Sequence, residues 1–67
     1  MEIKLNNQIK NVSEHCSVQQ LINETSNGSQ KGIAIAVNNA VVSKLNWQHH
    51  LLKQNDDVLI IKATQGG

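Results

Sequence analysis

Few side chains in this sequence could do chemistry. Cys16 is its one thiol, His15 stands apart from the adjacent pair His49-His50, and Asp56-Asp57 are its only neighbouring carboxylates. Cys16 invites a role as nucleophile or sulfur acceptor. It sits just before Ser17, though, where an apolar residue staples a helix start by packing on the fourth helical residue, here Leu21. Free cysteine behaves as a small apolar group, so Cys16 reads as structural. Histidine titrates near neutrality and ligates metals, yet His49-His50 have no carboxylate or cysteine close in sequence and read as a solvated loop pair. Asp56-Asp57 precede an apolar run and read as turn residues, and Trp47 as a lid on a small core rather than a stacking platform. One further group remains, the carboxylate that follows "KATQGG", Lys62 to Gly67. Gly66 and Gly67 lack a Cβ, so they can pass a narrow channel and accept whatever backbone geometry lies there.

That end follows directly on "DDVLIIKA", which has the composition of a strand leaving a core; no polar low-complexity linker intervenes. The elements upstream are legible from periodicity. In "MEIKLNNQIKNV" polar and apolar residues alternate on either side of Asn6-Asn7, a pair that tolerates positive φ and suits a tight turn. Antiparallel strands are expected at about 2–6 and 8–12. Val18, Leu21, Ile22 and Thr25 then fall on one face of a helix over about 18–26. Ser17 and Gln20 form a capping box at its start, and Gly28 supplies a left-handed stop.

"GIAIAVNNAVV" places Ile33, Ile35 and Val37 on one face of a strand and the small Ala34 and Ala36 on the other. Asn38-Asn39 turns the chain into a short strand, Ala40 to Val42. "SKLNWQHHLLKQN" predicts a single helical turn plus loop, Asn55-Asp56 a turn, and about 57–63 the last strand. The first and last strands are the most apolar, and one helix is available to cover them. This is the pattern of an α+β β-grasp, a mixed sheet of four to five strands on a single helix with those two strands adjacent and central. The sequence divides into a domain over 1–63 and a flexible tail over 64–67.

Composition narrows the function classes. At 67 residues with no Phe or Tyr, the core must come from Ile, Leu, Val, Ala and the single Trp, and it is small. One cysteine excludes an internal disulfide, and no Cys/His spacing suits zinc, so a reducing, cytoplasmic setting is expected. The net charge of +1, with six scattered lysines and no arginine, lacks the basic stripe of a nucleic-acid domain. No run approaches the roughly 20 apolar residues of a membrane span, and the N-terminus lacks a signal-peptide pattern. The Asn-x-Ser/Thr triplets at Asn11, Asn23 and Asn27 are then chance matches.

Length, strand order, "AVNNAVV", the following Trp47, "NDDVLII" and the terminal "GG" together resemble the ThiS family of ubiquitin-like sulfur carriers, related to the small subunit of molybdopterin synthase. The resemblance spans essentially the whole chain. It implies that Gly67 is adenylated by an adenylyltransferase of the ubiquitin-activating kind (ThiF-like) that uses ATP and magnesium, this chain binding no cofactor or metal itself. It further implies a sulfur source in a cysteine desulfurase or sulfurtransferase, a thiocarboxylate on Gly67, and delivery to a ThiG-like thiazole synthase. The carrier would be a protein co-substrate and not an enzyme. The chemistry is consistent with so bare a site: a carboxylate is a poor electrophile until AMP gives it a leaving group, and no base is then needed on the carrier. Six residues from Lys62 can reach about 20 Å, at roughly 3.3–3.6 Å each.

Alternation along the last strand turns Val58 and Ile60 inward and leaves Leu59 and Ile61 on the outer face beside Ala34 and Ala36, a candidate partner interface at the foot of the tail. Alternatives are a carrier for molybdopterin or another sulfur-containing product, a ubiquitin-like protein modifier, and a β-grasp binding module. The absent aromatic core residues and the polar Thr64 and Gln65 depart from relatives and bear on which partner is served.

Overall fold

The computed structural model describes residues 1–25 and 32–62. Strands β1 (Glu2–Leu5) and β2 (Gln8–Asn11) form a hairpin, followed by helix α1 (Val18–Thr25), a second hairpin of β3 (Ile33–Val37) and β4 (Ala40–Val41), a 3₁₀ turn (Lys44–Asn46) and strand β5 (Asp57–Lys62). They make one five-stranded sheet in the order β2-β1-β5-β3-β4, with β5 parallel to β1 and antiparallel to β3. The first and last strands are thus central neighbours, as the sequence predicts, and the elements match their expected positions to within a residue. The expected stop at Gly28, the Asn27 triplet and the tail 64–67 lie outside the described residues.

Both hairpins turn on two asparagines. Leu5 pairs with Gln8 and Val37 with Ala40, leaving two-residue loops. Asn6 and Asn7 have φ of 50° and 69°, Asn38 and Asn39 52° and 69°. Positive φ at both loop positions matches the right-handed twist of the flanking strands, and asparagine is the non-glycine residue that accepts it most readily.

The start of α1 shows why a short helix is stable here. The first N–H groups of a helix have no partner within it. Val18 donates to the His50 carbonyl at 2.9 Å, Gln19 to Trp47 at 3.0 Å and Leu21 to Ser17 at 3.0 Å, while Gln20 donates to Ser17 Oγ at 3.1 Å, one half of the expected capping box. Val18, Leu21 and Ile22 are fully buried. Thr25 continues their face in sequence but is exposed, its hydroxyl donating back to the Leu21 carbonyl at 2.9 Å.

Those helix residues join Ile3, Ile35, Val37 and Val58 from the inner sheet face, with Val12, Cys16, Val42, Trp47 and Leu52, in one core. Trp47 lies inside that core rather than over it, only 2% exposed, and its indole N–H donates to the Val42 carbonyl at 3.0 Å. Asp56 is the buried charged residue of the described chain. Its carboxylate accepts from the Lys53 amide at 2.8 Å and from the Asn38 side-chain amide at 3.0 Å, so the turn chemistry expected of it also fastens the β3–β4 turn to the entry of β5.

Candidate functional site

β5 leads the chain toward its last residues, so the site is built outward from this strand. Its alternation is as expected. Val58 is fully buried and Ile60 packs against the core, whereas Leu59 and Ile61 are 44% and 52% exposed on the other face. Pairing decides what lies beside them. Ala36 is opposite Leu59 and Ala34 opposite Ile61, and Ala36 also faces Val41 across the β3–β4 hairpin. Leu59, Ile61, Ala34 and Ala36 therefore form one surface, with Ala34 exposed and Ala36 half-buried.

Val41, 80% exposed, extends this surface to the sheet edge, and sequence reasoning missed it. The signal was available: once a two-residue turn pairs Val37 with Ala40, alternation sends Val41 to the face of Ala36 and Val42 to the core. The two alanines leave a shallow floor between larger apolar side chains. Toward the opposite edge the charged pair Lys4 and Asp57 interrupts the same face, and the exposed Ile9 lies beyond it. An apolar surface of this kind, bounded by polar residues, is the form of a protein-docking site.

The side chains that could have offered chemistry do not gather around it. Cys16 is fully buried below the start of α1, its carbonyl accepting from the Leu52 amide at 2.8 Å. Burial pushes its thiol pKa above the ordinary value, with Glu24 adding to the rise and Lys10 opposing it. His49 and His50 line a cleft with Asn38, Lys53 and Asp56, near the start of β5. Among the described residues no three His, Cys, Asp or Glu side chains are grouped to hold a metal, and no helix is long and apolar enough to cross a membrane. Gly66 and Gly67 lie outside the described residues.

A mixed five-stranded sheet grasping one helix, with a central C-terminal strand and an apolar outer face beside its exit, defines a ubiquitin-like β-grasp protein. The solved structure of a thiamine biosynthesis protein (ThiS) from Geobacter metallireducens has this fold, superposing with a TM-score of 0.85 over the whole of both chains at 19% identity. The ThiS family model matches residues 3–67. The chain belongs to the ThiS family. It is also 28% identical to the sulfur carrier protein ThiS of Escherichia coli K12 over 67 residues, the full length of both.

Proposed function

We propose that this protein is a sulfur carrier of thiamine (thiazole) biosynthesis, acting in the cytoplasm through the carboxylate of Gly67. The observation that carries the reading is the family match, which runs unbroken from Ile3 through the terminal glycine pair. The apolar surface around Leu59 and Ile61 supports it by offering a docking face at the root of the tail.

In this reading a ThiF-like adenylyltransferase binds that face and draws in the tail. The Gly67 carboxylate attacks the α-phosphate of magnesium-bound ATP, forming the acyl-adenylate and releasing pyrophosphate. A sulfide equivalent, supplied by a cysteine desulfurase or sulfurtransferase, attacks the acyl carbon and expels AMP, leaving the thiocarboxylate. A ThiG-like thiazole synthase accepts the sulfur and returns the carboxylate. ATP and magnesium stay with the activating partner, and this chain contributes reach, fit and the reacting carboxylate.

The test is intact-mass measurement after incubation with the cognate adenylyltransferase, ATP and a sulfur donor. The expected product has one oxygen replaced by sulfur at Gly67. An unchanged mass with partners shown to be active refutes the reading. A chain lacking Gly67, or extended by one residue beyond it, stays folded and does not load. Loading by either variant would place the acceptor elsewhere.

A further inference from the structure

The two Asn-Asn turns lie on opposite sides of β5, one at its start and one along its middle, and the first asparagine of each reaches across to it. At the start of β5, Asn38 donates its backbone N–H to the Asp57 carbonyl at 2.8 Å, and its side-chain Oδ1 accepts from the Asp57 amide at 2.9 Å. Toward the tail, Asn6 donates its backbone N–H to the Val58 carbonyl at 2.9 Å, and its Oδ1 accepts from the Ile60 amide at 2.9 Å.

In a parallel ladder, one residue bonds through its N–H and its carbonyl to two amides of the neighbouring strand that are two positions apart. The bonds from Asn6 to Val58 and Ile60 have this spacing, with one change: the side-chain carbonyl takes the place of the backbone one. The left-handed φ of 50° accounts for the change, because it turns the main chain of Asn6 away into the hairpin. The side chain adds one rung to β1, whose backbone pairing with β5 ends at Leu5 opposite Val58. Past that point β3 continues along one side of β5, pairing Ala34 with Ile61 and Ile33 with Lys62. Among the described residues, Asn6 holds the other side as far as Ile60.

We infer that Asn6 is a positioning residue for the carrier reaction: its side chain keeps β5 clasped on both sides up to Ile60, and so fixes where the tail leaves the body relative to the Leu59–Ile61 docking face. The inference rests on the sulfur-carrier reading. A partner that grips the face and the tail together requires a defined distance between them. Without that bond β5 is held from Leu59 onward by β3 alone, and holding this end of the strand in place on binding then costs more conformational entropy.

The experiment combines amide exchange in the free protein with steady-state kinetics of adenylation. Asn6→Gly keeps a residue suited to positive φ and removes the acceptor. It is expected to lose protection at the Ile60 amide, keep it in α1, and raise KM for the carrier about three- to tenfold at unchanged kcat, the range of one hydrogen bond's net worth. Asn6→Asp retains an acceptor and restores both readouts. Asn7→Gly alters the same turn without touching β5 and keeps the unaltered KM. If Asn6→Gly does not fold, replacing the Ile60 amide N–H by an ester oxygen deletes the same bond and must give the same KM rise.

Normal loading with unchanged KM in Asn6→Gly or in the ester overturns the positioning role alone, as does an equal KM rise in Asn7→Gly. Failure of the unaltered chain to load sulfur overturns the carrier reading, and the positioning role with it.

Discussion

Cys16 has the one thiol of the chain, and its surroundings remove its reactivity. The folded state holds its proton to higher pH than an unfolded chain does, since burial, helped by Glu24, raises its pKa from 9.0. The sign follows: as pH rises above about 9 the unfolded chain loses this proton first, so the Cys16 contribution to stability falls under alkaline conditions. Alkylation of the native protein at neutral pH is therefore expected to be slow, becoming fast only in denaturant. Cys16→Ser replaces a buried thiol, whose one polar contact among the described residues is a long donation to the Ser17 carbonyl at 3.5 Å, by a more polar hydroxyl, at a cost of about 1 kcal/mol or more, measurable by urea unfolding; a variant as stable as the parent would show that the site accepts a hydroxyl. That Cys16 packs in the core was legible from its place before the Ser17 cap. The buried carboxylate of Asp56 was legible only as half of a turn, because Asn38, its side-chain partner, lies 18 residues away.

At the scale of elements, the two hairpins repeat one solution. Each asparagine pair was readable as a turn, since few residues other than glycine accept two positive φ angles in succession. The grip on β5 was not, because it needs the strand order as well as the turn. Asn39 has φ of 69° and none of the β5 bonds made by Asn38, so it isolates the conformational demand of the turn. Asn39→Ala keeps the Cβ in the left-handed region but loses the short polar side chain that lets asparagine tolerate it, and should cost roughly 1 kcal/mol, lowering the melting temperature by roughly 4–8 °C for each kcal/mol in a domain of this size. Asn39→Gly should melt close to the parent. Equal melting temperatures for the alanine and glycine variants would mean that the turn does not impose this geometry. Strand alternation in β3 and β5 was legible throughout, and the two-residue Asn38-Asn39 turn already implied the outward facing of Val41; that it extends the Leu59–Ile61 surface depends on the pairing of β3 with β5.

The whole molecule separates stability from binding across one sheet. Its inner face carries the core with α1, while the outer face beside the tail keeps Leu59, Ile61 and Val41 in solvent. Leu59→Asp and Ile61→Asp change side chains about half exposed, so each should stay folded and within about 1 kcal/mol of the parent. Each is expected to weaken binding to the adenylyltransferase by roughly tenfold or more, corresponding to at least about 1.4 kcal/mol of lost contact. Titration calorimetry checks the affinity and circular dichroism the fold. Unfolding would assign these side chains to the core, and unaltered affinity would move the docking face elsewhere.

By itself the sequence determined what is local: two tight turns, a capped helix, and the facing of β3 and β5. Periodicities of two and 3.6 and the φ preferences of asparagine act over a few residues, so they can be read without knowing the rest of the chain. Membership of the family adds that these pieces belong to one known architecture. Only the tertiary structure decided which asparagine touches β5, that Asp56 is buried, that Trp47 lies inside the core, and that Val41 completes the apolar face. Each of these depends on which strands lie side by side. The bond from the Ile60 amide to Asn6 spans 54 residues, and no local preference encodes a partner at that distance.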